Sequence, residues 1–163
     1  MRKILFRGQQ RKKGEKVSLD GNPLPPVWFQ GGVLQGDGDH SIIYDAEGKH
    51  PVYTDTLCEY TGFDDTNGNP IFEGDVIRVT ASDPDAMCEE DHMVVEDNLV
   101  IWNQIEGCWE LLPCSKGLTP SLENCGFICE SAQDDPENYR INVIGNRFDN
   151  PELIPEGADL NGF

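Results

Sequence analysis

Two tight-turn signals, four residues apart, constrain the fold of this chain more than any other feature. The first is Asn67-Gly68, in which both residues tolerate positive φ, and the second is Glu73-Gly74-Asp75, whose glycine can adopt a φ that a side chain forbids. The following Val76–Thr80 stretch alternates and is rich in β-branched residues, as is typical of a half-buried strand. The element from Tyr60 to Val79 is therefore predicted to be a hairpin and a sharp turn that leads into a strand.

The first turn also resembles part of a calcium-binding loop. Asp65, Asn67 and Asn69 match positions 1, 3 and 5 of an EF-hand loop. Pro70 then stands where that loop requires glycine, and Val76 stands where it requires glutamate. Backbone geometry therefore accounts for these turn residues, and we do not expect a calcium site here.

The rest of the chain consists of short β-prone segments separated by turn residues. Val27-Trp28-Phe29 is predicted to be a strand that Gly31-Gly32 breaks. Residues 92–102 are predicted to form a hairpin, because Asp97-Asn98 favours a turn in their middle. Further predictions are strands at Lys3–Arg7, Ser41–Tyr44, Val52-Tyr53, Gly107–Leu112 and Tyr139–Ile144, a loop at Gln9–Lys16, and a short helix at Thr119–Glu123. These segments predict a mainly β chain with at most one or two short helices, arranged as a small barrel or sandwich.

The charge of the chain is large and uneven. The 163 residues carry 12 Lys and Arg against 30 Asp and Glu, a formal net charge of −18, although residues 1–16 are basic. The acidic remainder of the chain repels nucleic-acid phosphates and membrane anions. Direct nucleic-acid binding is therefore not expected. The composition is compatible with solvated carboxylates on turns, with a negative surface for a basic partner, and with cation binding.

The location of the protein follows from its apolar segments. No stretch approaches the roughly 20 apolar residues that a membrane helix needs. Met1–Arg7 begins with basic residues but has only three apolar residues in a row, unlike a secretory signal. We therefore expect a cytoplasmic protein that does not bind membranes.

Six cysteines require an explanation in such a protein. Cytoplasmic thiols are expected to be reduced. Zinc binding by Cys108, Cys114, Cys125 and Cys129 is an alternative, but only the last two approach the tight spacing of a zinc knuckle. The sequence leaves that question open, and no metal or cofactor is expected.

No catalytic motif is apparent. The three histidines, His40, His50 and His92, lie outside recognisable motifs, and the Gly36-x-Gly38 pattern does not lead into a helix as a phosphate-binding loop would. We therefore expect a binding protein without catalytic residues. Its tryptophans are expected to lie mostly in the core, with Trp28 the most exposed.

Three segments, in the same order, are similar to one known family. The central one is Tyr60-Thr61-Gly62-Phe63-x-Asp65-x-Asn67-Gly68-x-x-Ile71-Phe72-Glu73-Gly74-Asp75-Val76. Lys3–Arg7 and Ile144–Leu153 stand where the family has its opening strand and its closing motif. The chain resembles the YopX family of phage and prophage proteins, from which residues 83–97 and 108–130 depart.

The resemblance implies a mainly β fold with an SH3-like barrel, a phage or prophage origin and no known catalytic residues. Residues 1–54 are predicted to be N-terminal strands and a linker packed on the barrel, residues 55–150 the barrel region, and residues 151–163 a C-terminal tail. The expected function is that of an accessory protein in the host-cell cytoplasm, a non-catalytic binding or assembly module with protein partners or as a homo-oligomer. The alternative is an acidic inhibitor that imitates the charge of DNA and blocks a host nucleic-acid-binding protein.

Overall fold

β-Strands dominate the part of the chain that the structure, a computed structural model, describes. That part comprises residues 4–10, 26–34, 36, 38–82, 93–105, 107–112, 132, 134–135, 137–156 and 158. The prediction of a mainly β protein is confirmed. The described strands are β1 (Phe6–Gln10), β2 (Val27–Leu34), β3 (His40–Tyr44), β4 (Lys49–Tyr53), β5 (Cys58–Asp64), β6 (Pro70–Phe72), β7 (Asp75–Ser82), β8 (Met93–Asn103), β9 (Cys108–Leu112) and β10 (Tyr139–Asn146).

The chain divides into two units, Met1–Tyr60 and Thr61–Phe163. In the first unit the strands lie in the order β4-β3-β2-β1-β5, and the neighbours β1 to β4 pair antiparallel. Gly8 of β1 lies against Val52 of β4, since a Cβ added at Gly8 would come within 2.7 Å of the Val52 Cγ2 atom. Because β1 and β4 are not neighbours in the sheet, this contact shows that the sheet curls over its own core.

The predicted break at Gly31-Gly32 is wrong, because β2 runs unbroken through both glycines. Gly31 is needed for packing instead: a Cβ there would overlap the carbonyl oxygen of Tyr44 on β3. A Cβ at Gly32 would meet nothing within 4 Å. One glycine therefore permits a close approach of two strands, whereas the other leaves open space on the sheet.

The second unit contains a sheet in the order β10-β7-β8-β9, which is antiparallel throughout. β5 continues into this unit, and β6 lies beside it. One face of the four-stranded sheet carries the core, in which Trp102 packs edge-on against Trp109 with ring centroids 4.9 Å apart. The buried core residues are Ile71, Ile77, Val79, Val100, Trp109, Leu111, Ala132 and Ile141.

The hairpin predicted within residues 92–102 is also wrong. β8 is a continuous strand of 11 residues that pairs with β7 on one side and β9 on the other. Asp97 accepts two hydrogen bonds from Arg78 across the strands, at 2.7 and 2.8 Å, and Asn98 is buried opposite Ile77. Pairing on both sides outweighs the turn preference of the Asp-Asn dipeptide.

The two central turns form as predicted. The Gly68 N–H donates to the Asp65 carbonyl and Gly68 has φ +83°, so the positive φ falls on glycine rather than on Asn67. Gly74 has φ +75° and directs the chain from β6 into β7. The Asp75 carboxylate accepts a hydrogen bond from the Phe72 N–H at 2.8 Å, which fixes this second turn.

The remaining predictions have mixed outcomes. β1 extends to Gln10, so Gln9 and Gln10 belong to a strand and not to the predicted loop at Gln9–Lys16, of which residues 11–16 lie outside the described residues. In the tail, Pro151–Leu153 forms a 3-10 turn whose Leu153 lies against Gly145. The helix predicted at Thr119–Glu123 lies outside the described residues. The SH3-like barrel is not confirmed, because neither sheet closes on itself within the described strands, and among those residues no helix is long and apolar enough to span a membrane.

Candidate binding surface

Strand register sorts the side chains of β2, β3 and β4 onto two faces. Ser41, Ile43 and Val52 are almost completely buried and point toward the curled core. Their neighbours along each strand must point the other way, because side chains alternate across a strand. We call that opposite side the outer face; on these three strands it consists of Leu34, His40, Ile42, Tyr44, Lys49, Pro51 and Tyr53.

The centre of the outer face is apolar. Leu34, Ile42 and Pro51 lie side by side in register across the three strands. Leu34 is 52% exposed, which is high for a leucine in a strand paired with a neighbour. Contiguous exposed apolar side chains of this kind mark interaction surfaces more often than singly scattered ones do.

Aromatic rings lie on both sides of this apolar row. Tyr44 carries the Lys49 ammonium 5.3 Å from its ring centroid, and Tyr53 lies beside the His40 imidazole with centroids 4.7 Å apart. Gly32 is the register neighbour of Tyr44 and has no side chain, so one flank of the Tyr44 ring stays open. The outer face therefore combines aromatic rings with an open space beside Tyr44, and binding surfaces often pair aromatic side chains with such pockets.

The outer face continues along β2 toward β1. Trp28 is half-buried, and the Arg7 guanidinium lies 5.0 Å from its ring centroid. Trp28 and Trp102 are both half-buried and Trp109 is buried in the core, so the greater exposure expected of Trp28 stays a prediction.

Three acidic residues lie at the ends of the strands that carry the outer face. Asp39 precedes β3, Glu47 lies in the turn between β3 and β4, and Asp55 follows β4. All three side chains are exposed. An apolar centre with a charged rim is the usual organisation of a protein interface.

His50 is held rigidly on the core side of β4. Its ring stacks on Phe29 with centroids 3.9 Å apart and planes 7° apart. The Asp45 carboxylate accepts hydrogen bonds from His50 Nε2 at 2.9 Å and from the backbone of Glu47 and Gly48. The His50 hydrogen bond is the main reason that the pKa of Asp45 is lowered. This arrangement fastens the β3–β4 turn.

The residues that resemble a calcium-binding loop instead hold their own turn together through hydrogen bonds. Asp65 is buried, and its two carboxylate oxygens accept hydrogen bonds from the N–H groups of Asn67, Asn69 and Val143 and from the Asn69 side chain. Burial alone would raise the pKa of Asp65, but these hydrogen bonds outweigh it and lower the pKa. Four N–H donors converge where a cation would otherwise lie.

Two of the six cysteines, Cys58 and Cys108, lie among the described residues. Cys58 is buried and its thiol donates to the Thr56 carbonyl at 3.4 Å, while Cys108 is half-buried at the start of β9. Cys114, Cys125 and Cys129 lie outside the described residues, as do Cys88 and His92. Within the described part of the chain, no cluster of three or more potential metal ligands occurs.

Sequence reasoning missed most of the outer face. It singled out Trp28, but not the grouping of Leu34, Tyr44 and Tyr53. The sequence signal for this grouping was the alternation of side chains in β3 and β4. In strands of only five residues, that alternation does not show which of the two faces is buried. The strand register was needed to bring these side chains together.

The fold and its surface define a mainly β protein of two units, with an apolar aromatic surface on the sheet of the first. The chain belongs to the YopX family, because the family model described as YopX protein matches residues 33–155. The resemblance seen in the sequence is thereby confirmed.

A similar solved structure is that of protein EF1440 from Enterococcus faecalis, 20% identical over 93% of this chain and 98% of that one, with a TM-score of 0.41. Among curated proteins, none matches this chain.

Proposed function

We propose that this chain is a phage or prophage accessory protein that acts as a non-catalytic binding module in the host cytoplasm. Its partner is a protein with a positively charged surface, and the contact is made by the outer face of the first unit. The observation that carries the proposal is the exposed Leu34, set among the half-buried rings of Tyr44 and Tyr53. The resemblance to phage and prophage proteins supports the proposed origin.

The energetics of interfaces favour this surface. A few residues near the centre of an interface, tyrosines among them, supply most of its affinity, and tyrosine rings lose little conformational entropy on binding. The acidic rim of Asp39, Glu47 and Asp55 would speed association with a basic partner and disfavour an acidic one. The net charge of −18 acts in the same direction at longer range.

The non-catalytic part of the proposal is supported by how the polar groups are used. His50 is bonded to Asp45 and stacked on Phe29, and the Asp65 carboxylate is saturated by hydrogen bonds within its own turn and β10. Both groups therefore stabilise turns, which supports a structural role for them and not a catalytic one.

A second candidate function rests on the segregation of charge. The first 60 residues carry eight cations and eight acids, whereas the remaining 103 carry four cations and 22 acids. The second unit therefore holds the whole net charge of −18. This favours, as the alternative, an acidic inhibitor that occupies the nucleic-acid site of a host protein.

Capture from a bacterial lysate at low and high salt distinguishes the two candidates. The baits are the wild type, Leu34→Asp, which puts a charge at the centre of the outer face, and Val95→Asp. Val95 is the matched control, because it is a strand residue of the second unit with a similar exposure of 56%.

The main proposal expects a basic protein that is retained by the wild type and Val95→Asp and is lost with Leu34→Asp at both salt concentrations. Retention by Leu34→Asp contradicts it. A basic partner that is insensitive to Leu34→Asp but released at high salt supports the inhibitor instead, because screening weakens exposed charge interactions.

A further inference from the structure

The Asn67-Gly68 dipeptide of the central turn is chemically reactive. In an Asn-Gly pair the glycine backbone nitrogen attacks the asparagine side-chain amide readily, because glycine has no side chain to hinder the approach. The sequence contains this dipeptide twice, at Asn67-Gly68 and at Asn161-Gly162, and the second lies outside the described residues. Both residues of the first are exposed, so water reaches them.

Deamidation of Asn67 proceeds by ring closure. The Gly68 nitrogen forms a bond to the Asn67 Cγ atom, the bond from Cγ to Nδ2 breaks, and the amide nitrogen leaves as ammonia with the proton that the Gly68 nitrogen loses. The product is a succinimide, and water then opens that ring to leave aspartate or isoaspartate at position 67. Ring closure therefore requires a Gly68 nitrogen that can swing toward Cγ and an Asn67 amide that is free to turn.

The structure holds the attacking nitrogen in another direction. The Gly68 N–H donates to the Asp65 carbonyl at 2.9 Å and closes a turn over Thr66 and Asn67. Neither of these two central residues has a positive φ, as in a type I turn, in which the third residue has ψ of about 0°. The Gly68 N–H is thereby directed toward Asp65 and away from the side chain that it would attack.

The amide under attack is also held. The Asn67 side-chain amide donates to the Asn142 Oδ1 atom on β10 at 2.9 Å, and the Asn67 N–H donates to the buried Asp65 carboxylate at 2.8 Å. The same carboxylate accepts from the Asn69 N–H at 2.9 Å and from the Val143 N–H at 3.2 Å. The nucleophile, the leaving group and the backbone between them are therefore all fixed by hydrogen bonds.

We propose that Asn67 is a site of spontaneous deamidation, and that its hydrogen bonds to Asp65 and Asn142 restrict the reaction to molecules in which this turn has opened locally. Exposed turns held by a few hydrogen bonds open more often than the sheets beside them. Modification would change the turn permanently. Isoaspartate adds one carbon to the backbone before Gly68, and either product replaces the amide that donates to Asn142 with a carboxylate.

The proposal is tested in the full-length chain, incubated at mildly alkaline pH in buffer and in guanidinium chloride. Digestion and peptide mass spectrometry follow the replacement of the amide at position 67 separately from that at position 161. Asp65→Ala removes the acceptor of the Asn67 N–H, and Asn142→Ala removes the acceptor of the side-chain amide. The matched control is Val100→Ala, which weakens the core of the same unit at a fully buried residue.

Position 67 of the wild type should react at least about tenfold more slowly in buffer than in denaturant, because several hydrogen bonds must open first. In buffer, Asp65→Ala should accelerate the reaction about tenfold and Asn142→Ala about twofold or more. Val100→Ala should react like the wild type while it remains folded, because a weaker core does not by itself open the turn.

Equal rates for the wild type in buffer and in denaturant would show that the fold does not restrain Asn67, and no reaction at position 67 in denaturant would exclude the site. Acceleration by Val100→Ala as large as that by Asp65→Ala would assign the reaction to the globally unfolded chain and overturn local opening. If Asp65→Ala does not fold, Asn142→Ala decides, because it removes only a hydrogen bond at the surface. An unchanged rate in folded Asn142→Ala then contradicts the proposal.

Discussion

Gly31 on β2 passes so close to the carbonyl oxygen of Tyr44 on β3 that no side chain fits between them. Gly31→Ala should therefore force β2 and β3 apart and lower the free energy of unfolding by about 2 kcal/mol or more. Gly32→Ala is the matched control, because a Cβ at Gly32 meets nothing within 4 Å, and it should change stability by less than about 1 kcal/mol. Urea unfolding of both variants measures the difference in unfolding free energy. Equal losses for the two variants would show that the close approach of Gly31 to Tyr44 does not cause the destabilisation.

Two valines on β8 test the position of the core. Val100 is fully buried in the core of the second unit, whereas Val95 on the same strand is 56% exposed. Val100→Ala should lower the free energy of unfolding by about 2–3 kcal/mol, because two methyl groups leave a packed site. Val95→Ala should cost less than about 1 kcal/mol. Thermal and urea unfolding give both values, and a reversed order would place the core on the other side of the sheet.

Thr56 connects β1 to the 3-10 turn at Thr54–Thr56. Its buried hydroxyl accepts from the Gln9 N–H at 2.9 Å and donates to the Tyr53 carbonyl at 2.8 Å. Thr56→Val keeps the shape but leaves the Gln9 N–H without this acceptor, so we expect a loss of about 1–3 kcal/mol in unfolding free energy. Thr56→Ser retains the hydroxyl and should lose less; if it loses as much, the methyl group and not the hydrogen bonds explains the effect.

Acid should weaken the fold through Asp65. Its pKa is lowered in the folded chain, so the fold favours the carboxylate over the protonated form. That stabilisation is fully present above about pH 4 and is lost as the pH falls through the lowered pKa. The gap in unfolding free energy between the wild type and Asp65→Asn should therefore be largest near neutral pH and shrink in acid.

Urea unfolding from neutral to acid pH measures that gap. A gap between the wild type and Asp65→Asn that is independent of pH would show that the charge of Asp65 does not stabilise the fold.

The sequence by itself determined the local elements. It predicted the strands around Val76–Thr80 and Tyr139–Ile144, the turns at Gly68 and Gly74, and the mainly β class, and three short segments pointed to the family. These properties depend on a few adjacent residues: on positive φ at glycine, on alternation and on β-branching. Such preferences are already present in the chain before it folds.

The tertiary structure alone decided which strands lie next to each other. It made Gly31 a packing position, drew Asp97-Asn98 into a continuous strand, and joined Asp65 to Val143, 78 residues away. It also assembled the outer face from three strands. Each of these outcomes rests on hydrogen bonds and packing between distant segments, whose free energy exceeds the small local preferences that the sequence displays.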